Sequence, residues 1–136
     1  MAAVLLVHPV ATVRREWQRI LSEAKFEITE AENGTQAVDI LKESIFSLVI
    51  VNDLLGSGKN PVQVAEWVRS FQKGMHRPTL PIALVFAWGS AREQPARPFD
   101  ATIPAPLKPE HVKQLARMAG ISHKSVRRKA KTGRRK

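Results

Sequence analysis

The sequence predicts an α/β fold in which a single parallel sheet is covered by helices on both faces. Two observations predict it. Short continuous apolar runs, too short to be helices, recur along the chain, and stretches with apolar residues at helical spacing separate them. Strands that are apolar throughout are buried on both sides, and a parallel sheet flanked by helices is where such strands occur.

The elements follow in order. Val4-Leu5-Leu6-Val7 is the first run, cut off by Pro9, and reads as a buried strand. Over residues 11–24, Val13, Trp17, Ile20, Leu21 and Ala24 recur at helical spacing and leave Arg14, Arg15 and Glu16 for the solvent side. Residues 26–31 alternate apolar with polar, as a half-buried strand does. Asn33-Gly34 punctuates the chain, and Ala37, Val38, Ile40, Leu41 and Ile45 form a second helical stripe. Leu48-Val49-Ile50-Val51 is a third strand, Gly56-Ser57-Gly58 a loop, and Val62, Ala65, Val68 and Phe71 a third helix. Residues 80–87 read as a fourth strand, 101–103 as a short fifth and 112–118 as part of a last helix. Between Trp88 and Asp100 only about a dozen residues remain, interrupted by Pro95 and Pro98, so a full helix hardly fits there.

A chain of 136 residues is one domain with enough buried surface to fold alone. Hydrophobic residues at 43% and charged residues at 25% exclude a fibrous chain or one disordered throughout. No apolar run approaches the roughly 20 residues of a membrane span, and the run at residues 2–7 lacks the basic flank and length of a signal peptide. A cytoplasmic protein is expected. The absence of cysteine removes a disulfide scaffold, a thiolate metal site and a cysteine nucleophile.

The net charge of +10 is unevenly placed. Eight of the 22 lysines and arginines lie in the last 16 residues: Lys124, Arg127, Arg128, Lys129, Lys131, Arg134, Arg135 and Lys136. No acidic residue follows Glu110, and the rest of the chain carries 14 basic against 12 acidic residues. The expected organisation is therefore a nearly neutral domain over residues 1–120 and a basic, disordered tail over 121–136.

The order of elements, with Val4-Leu5-Leu6-Val7, Ala31-Glu32-Asn33-Gly34, Leu48-Val49-Ile50-Val51 and Ala105-Pro106-Leu107, resembles the receiver domain of bacterial response regulators. The resemblance runs from about residue 3 to residue 119. It implies a doubly wound, flavodoxin-like sheet of five parallel strands, here with the fourth helix shortened or missing, and ligands bound outside the carboxyl ends of the strands.

Receivers take a phosphoryl group onto an aspartate at the end of the third strand. That chemistry needs an acidic pair after the first strand to hold magnesium, and a hydroxyl and a lysine after the fourth and fifth strands to bind phosphoryl oxygens. By the resemblance, the acidic pair falls on His8 and Pro9, the acceptor on Asn52, the hydroxyl on Phe86 and the lysine on Ala105, with the following proline kept as Pro106. None of these side chains can do the corresponding job. The spacing from Asn33 favours Asn52 as acceptor, whereas the downstream pattern Val62, Val64, Ala65, Val68 fits equally with Asp53 in that place. The resemblance thus implies a degenerate phosphorylation site in a pseudo-receiver.

Other patterns carry less. His8, His76, His111 and His123 show neither an i, i+4 pair nor zinc spacing, so neither a metal nor a cofactor is expected. Gly56-Ser57-Gly58-Lys59 lacks the residues that a phosphate loop needs at Asp53 and Asn60. Trp17 and Trp67 sit on apolar stripes and read as core. Phe86, Trp88, Phe99 and Pro106 are the expected partner-binding residues, the alternative being that these rings fill space left by the missing helix.

The tail contains no aromatic residue to stack on a base, and no recognition helix is evident. Its partner would be acidic: nucleic acid, an anionic surface or an acidic protein. Eight charges engaged on duplex DNA would give a salt slope of roughly −7. The function expected from the whole is a phosphorylation-independent signalling adaptor that binds a partner protein and is anchored by its tail. The alternatives are a sequence-nonspecific nucleic-acid-associated protein and an atypical receiver phosphorylated on Asp53. The preferred reading is not an enzyme, whereas the last alternative would in effect be a self-phosphorylating one.

Overall fold

The computed structural model describes residues 2–22, 24, 26–55, 58–75, 80–86, 99–105 and 107–120. Strands β1 (Ala2–Val7), β2 (Phe26–Ala31), β3 (Leu48–Asn52), β4 (Ile82–Phe86) and β5 (Ala101–Pro104) form one parallel sheet in the order β2-β1-β3-β4-β5. Helices α1 (Ala11–Leu21), α2 (Gly34–Glu43), α3 (Pro61–Met75) and α4 (Val112–Met118) connect and follow the strands. This is the doubly wound, five-stranded fold that the sequence predicts. Four α-helices among the described residues fit a shortened fourth helix. The β4–β5 connection itself, residues 87–98, lies outside the described residues, as do Trp88, Pro106 and the tail residues 121–136.

Period-two alternation distributes each strand over two cores. Leu5, Val7, Val49, Val51, Ile82 and Leu84 pack on α2 and α3 through Ala37, Val38, Leu41, Val64, Ala65 and Val68. Val4, Leu6, Leu48, Ile50, Ala83 and Val85 pack on the other face, against Trp17, Ile20 and Leu21 of α1 and Val112 and Leu115 of α4. The central strands are therefore buried on both sides, which is why they carry no polar residue until their carboxyl ends.

The helix starts are set locally. Asn33 caps α2, its side chain accepting the Gln36 N–H at 2.7 Å. Asn60 and Gln63 cap α3 reciprocally, each side chain accepting the other's backbone N–H at 2.9 and 2.8 Å, with Pro61 at the first helical position. Gly34 has no room for a side chain, because a Cβ there would lie 2.2 Å from the Lys59 carbonyl oxygen.

Several sequence expectations need correction. Arg14 does not face solvent: it is 7% exposed, donating from Nε to Glu30 at 2.6 Å and from Nη1 to the His8 carbonyl at 2.6 Å. Ile45 and Val62 leave the apolar stripes and are exposed, since α2 ends at Glu43 and Val64 fills the core in place of Val62. The first helix ends at Leu21 rather than reaching Ala24. The fourth strand begins at Ile82 rather than at residue 80. Pro81 has no N–H to pair, although its carbonyl accepts from Val49 at 3.0 Å, and the Leu80 carbonyl is taken by Arg69 at 2.7 Å. Asp100 closes this corner by accepting from Arg69 and from the Ile82 N–H, both at 2.7 Å.

Candidate functional site

In a sheet of this order the chain leaves β1 toward one side and β3 toward the other, which opens a crevice between their carboxyl ends. The residues at that edge are fixed by register. Val7 pairs with Val51 and Asn52 with Val85, so His8 stands beside Asn52 on neighbouring strands. The His8 N–H donates to the Ala31 carbonyl at 3.1 Å, the Asp53 N–H to the Val85 carbonyl at 2.8 Å and the Ala105 N–H to the Phe86 carbonyl at 2.8 Å.

A cleft of about 450 Å³ opens here. His8, Asn52, Asp53 and Ala105 line it with Val85, Leu54 and Leu107, and α1 contributes Thr12, Val13, Glu16 and Trp17. Its walls are mostly apolar, with the polar groups at the strand ends and on the α1 rim. The structure thus gathers four of the six residues of the expected degenerate site. Pro9 is exposed in the turn before α1 and does not line the cleft. Phe86 is also absent from it: its side chain is buried elsewhere, and alternation along β4 puts it on the opposite side of the strand from Val85, which does line the cleft.

The expected partner-binding face also changes. Phe86 and Phe99 are 7% and 5% exposed, and Phe99 belongs to the α2–α3 core. Neither ring offers surface to a partner; both fill the interior. Trp88 and Pro106 fall outside the described residues. Trp17 is core as expected, while Trp67 is only partly buried, stacked on Phe71 at 4.8 Å.

His8 is held in one tautomer. Its Nδ1 accepts the Val10 N–H at 3.0 Å, so the proton resides on Nε2, and its ring meets Trp17 edge to face at 5.2 Å. Burial pushes its pKa below the usual 6.5, the Arg14 guanidinium lowers it further, and the Asp53 carboxylate opposes both. Protonation would also place a second proton where the Val10 N–H now points.

A pH dependence follows with a definite sign. The unfolded chain takes up this proton at about 6.5, earlier than the folded chain does, so the stability is complete above 6.5 and is lost as pH falls through that value toward the lower folded one. Urea midpoints measured at pH 7.5 and 5.5 are expected to fall further for the wild type than for His8→Asn. The asparagine side chain can accept the same N–H and does not titrate. Equal falls would show that His8 is not held neutral.

Sequence reasoning missed the cleft-lining Thr12, Val13, Glu16, Trp17, Leu54, Val85 and Leu107, and Arg14, which holds the His8 carbonyl at this edge. A signal was present. Thr12, Val13, Glu16 and Trp17 lie within the first two turns after a connection of only three residues, which keeps that end of α1 against the end of β1.

No sequence-family model matches the chain, and no curated protein matches it by sequence. Solved structures do match. A response regulator receiver domain protein from Clostridium thermocellum superposes with a TM-score of 0.75 at 13% identity, over 93% of this chain and 98% of that one. The chain has the receiver fold. The response regulator TrrA from Thermotoga maritima, in complex with magnesium and a beryllium fluoride, gives a TM-score of 0.74 at 22% identity, over 88% and 99%. A chemotaxis response regulator of Vibrio cholerae gives 0.71 at 22% identity, over 87% and 98%. The likeness in fold thus stands at 13–22% identity, where no sequence-family model matches. Among the described residues, no helix is long and apolar enough to cross a membrane.

Proposed function

We propose that this receiver-fold chain is a signalling adaptor that works without phosphorylation, binds a partner protein and uses its basic tail as an electrostatic anchor. The observation that supports it is the make-up of the switch-point cleft. Imidazole, amide and methyl groups from His8, Asn52 and Ala105 line it, and an aspartyl phosphate would need a metal-binding acidic pair and a lysine there. Partner contact falls to exposed apolar groups at this edge rather than to Phe86 and Phe99: Leu54 is 68% exposed and Val10, at the start of α1, 46%. The tail's eight basic residues suit an acidic counterpart, either nucleic acid or an anionic surface.

Asp53 supports a second reading, because its carboxylate also lines the cleft and an acyl phosphate could in principle form on it. Incubating the full chain with acetyl phosphate and magnesium, followed by intact-mass measurement, separates the two. The adaptor reading expects an unmodified mass for the wild type and for Asp53→Asn. A phosphoryl adduct on the wild type that is missing from Asp53→Asn would establish the second reading in its place.

A further inference from the structure

The cleft at the switch point has the features of a small-molecule site. Its volume of about 450 Å³ falls in the range of ligand pockets, and such pockets combine apolar walls with a few placed polar groups. Here two polar groups are only partly occupied. His8 Nδ1 is engaged by the Val10 N–H, which leaves Nε2–H as a donor. Asn52 gives one amide N–H to the Leu54 carbonyl at 2.8 Å, which leaves its second N–H and its carbonyl oxygen, the latter as an acceptor. The two stand side by side on strands about 4.8 Å apart. Val85, Leu107 and Trp17 supply apolar surface around them. Asp53 adds negative charge to the lining, which disfavours an anion, while the Glu16 carboxylate at the rim is paired with Arg19.

We propose that this cleft binds a neutral, planar heteroaromatic ligand bearing a lactam edge. The ligand's carbonyl accepts from His8 Nε2–H and its ring N–H donates to Asn52 Oδ1, while the ring lies against the apolar wall. The inference does not rest on the adaptor reading, since it concerns what the cleft holds and not what the protein signals to. It also differs from that reading in its test, which involves no phosphodonor.

Three probes sharing a bicyclic frame are titrated into the full-length chain, and proton–nitrogen correlation spectra follow the Trp17 indole, the Asn52 side-chain amide and the Ala105 backbone amide. The probes are 2-quinolinone, its N-methyl derivative, which lacks the donor, and naphthalene-1-carboxylate, which is anionic. Saturable shifts at these three signals are expected with 2-quinolinone at millimolar concentration. The N-methyl compound should bind at least fivefold more weakly and the carboxylate at least tenfold more weakly. Asn52→Leu should erase the difference between the two quinolinones while leaving the spectrum of the rest of the fold in place. The proposal is overturned if 2-quinolinone gives no saturable shift at these signals, if N-methylation costs nothing, or if the carboxylate binds as well.

Discussion

Gly34→Ala is expected to lower the thermal midpoint by about 10 °C, although alanine is the better helix former by up to about 1 kcal/mol. The added Cβ would stand 2.2 Å from the Lys59 carbonyl oxygen and 2.8 Å from its carbonyl carbon. Both obstacles are backbone, so no rotamer change relieves the contact, and the start of α2 must part from the loop between β3 and α3. Overpacking of this kind costs about 2–3 kcal/mol, which outweighs the gain in propensity and is a large share of a domain's stability. The loop is tied to α2 a second time through the Lys59 N–H donating to Thr35 Oγ1 at 3.3 Å. The same loop begins with Asp53 and Leu54, so their amide signals should shift with the melting temperature. A melting temperature at or above that of the wild type would show that the two backbones are not held together.

Arg14→Met is expected to cost about 2 kcal/mol in urea denaturation, less than the 3–5 kcal/mol of breaking a fully buried pair. The discount has a structural reason. The Arg14 side chain is 9% exposed but Glu30 is 37% exposed, so the abandoned carboxylate can recover water. Methionine keeps the apolar stem of arginine in contact with the core, which isolates the loss of the guanidinium. Arg14→Lys should recover little, since one ammonium cannot match a planar fork that serves Glu30 and the His8 carbonyl together. Arg14→Met also has an electrostatic readout. Removing a positive charge that depresses the His8 pKa must raise that pKa, and a titration of the imbalance by imidazole proton shifts would show it. An unchanged His8 titration would mean that Arg14 does not act on the site.

Much of the fold was legible because the apolar pattern is strong where burial is two-sided. The three runs Val4-Leu5-Leu6-Val7, Leu48-Val49-Ile50-Val51 and the core of β4 leave no alternative to buried strands, and Asn33-Gly34 marks a helix start that the structure explains by an Asn cap and a close backbone approach. The receiver resemblance also placed His8, Asn52, Asp53 and Ala105 at one edge, where the structure brings them into one cleft.

The remainder was decided by contacts between segments distant in sequence. Arg14 reads as surface on a helical wheel, and only the arrival of Glu30 and the end of β1 makes its burial favourable. Phe86 reads as a site residue by the resemblance, and only its place on β4, one residue past Val85, buries its ring away from the cleft. The sequence by itself determined the order, type and two-sided burial of the elements, because those depend on local period and propensity. Which side chains share the cleft, which charge is buried and which proton His8 carries were decided by the tertiary structure, because each depends on partners that local sequence does not specify.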